Sequence, residues 1–157
     1  MATENERNDW ISIEESITVR RPIPPLFEFW RNFANLPRFL KHIRSVRVLN
    51  STESIWEVAG PFGKNFSWKT RIVAERRNAL IEWKAEPTAP LPNAGCVRFA
   101  RAETADSTLI DLTLRYAPPG GILARSLASL FLADSAQQIR QALRAFKRTA
   151  ERAELAA

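Results

Sequence analysis

From Trp10 to Val19 the chain alternates in character. Ile11, Ile13, Ile17 and Val19 hold the odd positions, with Ser12, Glu14, Ser16 and Thr18 between them. A period of two marks a strand with one buried face, and Pro22, Pro24 and Pro25 end it. The same period returns repeatedly between Ile43 and Tyr116. Val46 and Val48 flank Arg47, and Trp56 and Val58 alternate with Ile55 and Glu57. Phe66, Trp68, Thr70 and Ile72 alternate with Ser67, Lys69, Arg71 and Val73. Ile81 and Trp83, Val97 and Phe99, and then Ile110, Leu112, Leu114 and Tyr116 continue the pattern. Turn formers separate the runs, among them Arg77-Asn78 and the proline-rich stretch Pro87 to Gly95. The connections are too short for crossover helices, so the pattern predicts an antiparallel meander.

Helical spacing governs the remainder. Leu26, Phe29, Trp30 and Phe33 fall on one face of a short helix from Pro25 to about Phe33, whose prolines suit a first turn. Asn35 is the expected N-cap of a second short helix, Leu36 to His42. After Pro118-Pro119-Gly120-Gly121, Leu123, Leu127 and Leu130 form one apolar stripe. Ala136, Ile139, Leu143, Phe146 and Ala150 form the next, and Ser135 with Gln138 fits a capping box, placing a kink or fresh start near Asp134. Residues 1–9 read as a flexible N-terminal arm, and residues 10–157 as one domain.

Composition narrows the function classes. The chain has 157 residues, 45% hydrophobic and 25% charged, ordinary values for a soluble globular protein. No apolar run approaches the ~20 residues of a membrane span, and Met1 to Asn8 is too polar for a signal peptide, so the cytoplasm is the expected compartment. One cysteine, Cys96, and one histidine, His42, leave no disulfide framework, and neither a metal site nor a cofactor is expected. The net charge of +6 would suit an anionic partner. However, strict alternation puts Lys69 and Arg71 on the face opposite Trp68, where Glu57, Glu82 and Asp111 are available as cross-strand partners. Nucleic-acid binding is therefore not expected. Arg140, Arg144, Arg148 and Arg152 recur every four residues, as on a solvated helix face.

One strand, two short helices, a meander and a long helix assemble in few ways. A sheet with one apolar face needs a cover, and the C-terminal helix is long enough to supply it. This order of elements resembles the helix-grip fold of the START/SRPBCC superfamily, which includes the birch-pollen-allergen-like proteins. More narrowly it is similar to the bacterial polyketide cyclase/dehydrase-like branch, related to coenzyme-Q-binding START-type proteins. The similar stretches are Arg21 to Leu49 (RPIPPLFEFWRNFANLPRFLKHIRSVRVL), Trp56 to Trp68 (WEVAGPFGKNFSW), Ile81 to Trp83, Pro92 to Phe99 (PNAGCVRF), Leu112 to Gly121 (LTLRYAPPGG) and Ile139 to Glu154 (IRQALRAFKRTAERAE). The resemblance implies an α+β helix-grip fold, a curved antiparallel sheet wrapped around the long C-terminal helix with two short helices after the first strand.

The inner aromatics either fill that space or line a cavity, and the resemblance favours a cavity. Its sheet wall would comprise Trp56, Val58, Trp68, Thr70, Trp83, Val97, Phe99, Leu112 and Tyr116. Ile139, Leu143 and Phe146 would face them from the helix. Such a wall suits a small hydrophobic or aromatic ligand (lipid, quinone or polyketide-like), with Thr70, Tyr116 and the indole N–H groups as hydrogen-bonders. A polyketide cyclase or dehydratase is the alternative. Glu15, a carboxylate on an apolar strand face, would be its base if buried, or would be turned to water by a bulge. His42, beside Lys41 and Arg44, reads as a surface residue. No constellation of catalytic groups emerges. A third reading is peripheral membrane or protein contact through the nearly uncharged stretch 117–132, with Leu123, Leu127, Phe131 and Leu132 as its apolar face.

Overall fold

A computed structural model of the chain describes residues 10–59, 63–104, 106–117 and 135–152. The expected N-terminal arm, the apolar face of 117–132 and the capping region at Asp134 lie outside the described residues. Strand β1 (Ile11–Val19) leads into helix α1 (Ile23–Arg31) and a 3-10 helix (Phe33–Arg38). Strands β2 (Ile43–Val48), β3 (Glu53–Ala59), β4 (Asn65–Arg76), β5 (Leu80–Ala85), β6 (Asn93–Arg101) and β7 (Thr108–Tyr116) follow, and α2 (Ser135–Glu151) comes last. The strands form one antiparallel sheet in the order β1-β7-β6-β5-β4-β3-β2. Its curved inner face is covered by α1, the 3-10 helix and α2, which is the helix-grip arrangement. Among the described residues, no helix is long and apolar enough to cross a membrane.

Alternation translates directly into burial. In β3 Ser54, Trp56 and Val58 are buried while their neighbours are half-exposed. In β4 Trp68 and Thr70 point inward and Val73 outward. A register shift between Ile72 and Ala74 leaves Val73 out of the pairing with β5, which resumes at Ala74 opposite Glu82. Asn78 adopts φ 61° in the β4–β5 turn, a left-handed conformation that asparagine tolerates. On the outer face Lys69 and Arg71 pair with Glu53 and Glu86, not with the carboxylates expected from alternation alone. Glu57 instead accepts from Asn65, and Asp111 from the Ser16 hydroxyl.

The short helices depart from their expected bounds. The first begins two residues earlier, at Ile23, with Pro24 and Pro25 in its first turn and Pro22 as N-cap. The second is a 3-10 helix capped by Asn32, whose side chain accepts from the Ala34 amide at 3.2 Å. Asn35 serves differently, its Nδ2 donating to the Phe29 carbonyl at 3.0 Å and tying the two helices together. Gly95, expected in a turn, lies inside β6 opposite Trp83. A Cβ there would stand 2.2 Å from the Trp83 ring, so only glycine lets the indole lie against the strand.

Helix α2 is held along β1 by polar contacts. Arg140 Nε meets Glu15 Oε1 at 2.9 Å, and Lys147 Nζ donates to the Thr18 carbonyl. At its end, Arg21 Nε and Nη2 donate to the carbonyls of Ala150 and Glu151 at 2.9 and 3.1 Å, satisfying groups that lack helical partners. Its apolar face carries Phe146, 1% exposed. The Phe146 ring stands 5.2 Å from Phe29, 5.5 Å from Trp30 and 5.4 Å from Phe39. Its ring contacts among the described residues are thus with the short helices, not with the sheet tryptophans that the sequence set opposite it. Phe146→Ala is expected to cost about 3–5 kcal/mol in urea unfolding, and Phe146→Arg to prevent folding; wild-type midpoints would mean that α2 does not pack through this ring.

Candidate functional site

Phe33 wedges between the sheet and the helices, its ring 5.5 Å from Trp56 and 5.3 Å from Trp83. Farther along, Phe27 meets Phe99 edge-on at 5.6 Å. These contacts fill one part of the interior. Beside them an apolar cavity of about 70 Å³ stays open, walled by Trp30, Trp56, Trp68, Trp83, Leu112 and Tyr116 together with Ile139 from α2.

Of the residues expected on this wall, Trp56, Val58, Trp68, Trp83, Leu112, Tyr116 and Ile139 meet around the cavity. Thr70, Val97, Phe99, Leu143 and Phe146 are buried but do not line it. Leu143 and Phe146 lie farther along α2, against Phe29, Phe39 and Ala142. The division follows from α1, whose Phe29 and Trp30 rings meet Phe146 and so cover that part of the apolar face of α2. Trp30 and Leu40 join the wall without having been singled out. The apolar stripe of α1 does contain Trp30, but stripe membership alone does not say which side borders a space.

His42 differs most from expectation. It is half-buried and lines both the cavity and an adjoining groove of about 500 Å³. The groove runs between the segment Phe39 to His42, Ala59 and the first turns of α2, and it shares Leu40, His42, Gln138 and Ile139 with the cavity. The Ala59 amide donates to the His42 carbonyl at 3.0 Å, fixing this position to the end of β3. Desolvation pulls the imidazole pKa down to about 4, so it is neutral at ordinary pH. Burial also pushes the Tyr116 phenol above its usual value. Glu15 is on the helix-facing side of β1, and the β1–β7 register runs unbroken from Ile11 to Val19, so no bulge turns it outward. It pairs with Arg140 and is not on the cavity wall. Among the described residues no group of three or more potential metal ligands comes together.

An apolar cavity between a helix-grip sheet and its C-terminal helix invites comparison with known proteins. A comparison with curated proteins returns no match. Among solved structures, a protein from Deinococcus radiodurans is similar at 29% identity and TM-score 0.74, over 90% of this chain and 98% of that one. A START superfamily protein from Mycobacterium smegmatis matches at 13% identity and TM-score 0.66, over 88% and 98% of the two chains. An aromatase/cyclase from Streptomyces matches at 17% identity and TM-score 0.65, over 90% and 96%. The latter two show the fold alone. Residues 19–145, running from the end of β1 into α2 and so spanning the cavity wall, match the family model described as polyketide cyclase / dehydrase and lipid transport, and the chain belongs to that family.

Proposed function

We propose that this protein binds a small hydrophobic or aromatic ligand between its sheet and α2, as a carrier or sensor. The observation that supports this reading is the cavity itself, apolar, walled by four tryptophans and separated from an adjoining groove by shared residues. At about 70 Å³ the cavity alone is smaller than an engineered site that holds benzene, at roughly 150 Å³. Entry therefore uses the partition of Leu40, His42 and Ile139, beyond which the groove adds volume in the range of small-molecule pockets. A neutral His42 leaves that partition uncharged, which suits an uncharged cargo. On the wall the titratable groups among the described residues are His42, Arg115 and Tyr116. Burial makes His42 a weaker base and Tyr116 a weaker acid, which favours binding over turnover.

Native mass spectrometry of the purified protein, with solvent extraction of whatever is bound, tests the proposal. A stoichiometric apolar molecule, or uptake of the neutral dye N-phenyl-1-naphthylamine, is the expected result. Ile139→Trp, which enlarges the partition, should weaken dye uptake by roughly tenfold or more with helix content retained. An empty protein that takes up no dye would mean a filled core.

The His42 proton gives a second test. Its folded pKa, about 4, lies below the ordinary 6.5, so the unfolded chain binds this proton more readily. Stability from this group is complete above pH 6.5 and is lost as pH falls towards 4, by on the order of 3 kcal/mol. Glu53 and Glu151, held below the usual carboxylate range by hydrogen bonds from Asn50 and from the Arg20 amide respectively, lose their contribution at lower pH. The interval from pH 6.5 to 5 therefore isolates His42. Urea midpoints should fall across it in the wild type and stay level in His42→Phe; parallel curves would mean that the imidazole is not desolvated.

A further inference from the structure

Among the described residues three buried side-chain polar groups have no hydrogen-bond partner, the Thr70 hydroxyl, which is off the cavity wall, and two indoles that are on it. The indole N–H groups of Trp30 and Trp68 are sealed from solvent and make no hydrogen bond. The two residues are only 4% and 7% exposed, and both belong to the wall of the same cavity. They come from different elements, α1 and β4, so no single turn or cap accounts for both. Trp56 shows the ordinary arrangement, its N–H donating to Ser54 Oγ at 2.9 Å. A buried tryptophan normally finds such a partner, and a sealed donor without one is rare and costly. Leu36, Leu40, Ile43, Val58, Leu112 and Leu114 make up much of that wall, and its polar members His42, Asn93, Tyr116 and Gln138 accept from neither indole.

The chemistry of the missing partner follows from the donors. An indole nitrogen donates one hydrogen and accepts none, so only an acceptor completes it. A hydroxyl would bring a hydrogen that needs an acceptor of its own. A carboxylate or phosphate would bring a charge, and the wall offers little to balance it. His42 is neutral, and Arg115 is solvent-exposed with its guanidinium over the Trp10 ring. An uncharged carbonyl oxygen accepts without donating and needs no counter-charge.

We infer that Trp30 and Trp68 are specificity-determining residues of this cavity, their indole N–H groups selecting a ligand with an uncharged ketone or quinone carbonyl over a hydrocarbon of the same shape. The inference rests on the ligand-binding reading above and goes further, because a cavity that takes apolar molecules indiscriminately has no need of these donors.

The bicyclic pair 1-indanone and indane tests it, since they differ by one carbonyl in place of a methylene. Transfer from water into an apolar site favours the hydrocarbon, so a ketone bound as tightly as indane already reports a hydrogen bond. Ligand-observed NMR titration gives both affinities and their ratio in the wild type, in Trp30→Phe and in Trp68→Phe. The ketone is expected to bind at least as tightly as indane in the wild type. The ratio should then fall by roughly five- to tenfold in each variant, the size of one ordinary hydrogen bond. Indane bound tenfold tighter than the ketone by the wild type overturns the inference and leaves the pocket standing, as does a ratio unchanged in both variants. Uptake of neither probe overturns the inference and the ligand-binding reading together. The wild-type ratio decides even if one variant folds poorly.

Discussion

The aromatic contact between α2 and the two short helices is the constraint on which the rest of the interior depends. Phe146 meets Phe29, Trp30 and Phe39 within 5.2 to 5.5 Å, and so fixes how close α2 comes to the sheet. The helix lies directly along β1, while α1 and the 3-10 helix occupy the space between its apolar face and the strands farther across the sheet. Phe33 and Phe27 carry the same wedge down to Trp56, Trp83 and Phe99. Where the wedge is present the interior is filled. Beside it, towards the first turns of α2, the sheet and helix are held apart with less to fill the gap. The cavity is thus a consequence of how the aromatic helices are packed.

The sheet side of that gap is shaped by a complementary device. Trp83 lies across Gly95 on the neighbouring strand, in a space that any Cβ would occupy. This lets a large ring sit flat against the sheet, leaving room above it, where a standing indole would close the cavity. Rigid aromatics are well suited to this duty, since they present large area with few rotatable bonds.

Much of this was legible from local pattern. Period-two alternation foretold which side chains of β1, β3, β4 and β7 face inward, because that signal depends only on strand geometry. The apolar stripe of α2 was equally clear. What escaped the pattern was set by distant parts of the chain. Asn32 and Asn35 precede the same proline-containing segment, and only packing on Phe29 decides which of them caps and which ties the helices. Inward-facing Phe146 and inward-facing Ile139 look alike in sequence, yet one is sealed by α1 and the other borders the cavity. His42 departs from expectation for the same reason: its charged neighbours suggest solvent, while distant elements bring it, half-buried, to the wall between cavity and groove.

Stability and function divide along α2. Its C-terminal half carries Leu143, Phe146 and Ala150, and Arg21 holds its last carbonyls at the β1–α1 corner. This half is tightly tied. The half that follows Ser135 contributes Gln138, Ile139 and Ala142 to the cavity, the groove or both, and among the described residues its polar tether is the ion pair of Glu15 with the exposed Arg140, whose contribution is small. Local opening costs least where buried contacts are fewest. On the proposed ligand-binding reading, a ligand larger than the resting cavity would enter by displacing the partition around His42 and Ile139, while the aromatic cluster at the other end keeps the fold closed. Trp30 borders both regions and Trp68 the cavity alone, so on the inference drawn above the cost of leaving their indoles unsatisfied becomes a gain in affinity for whatever supplies their acceptor.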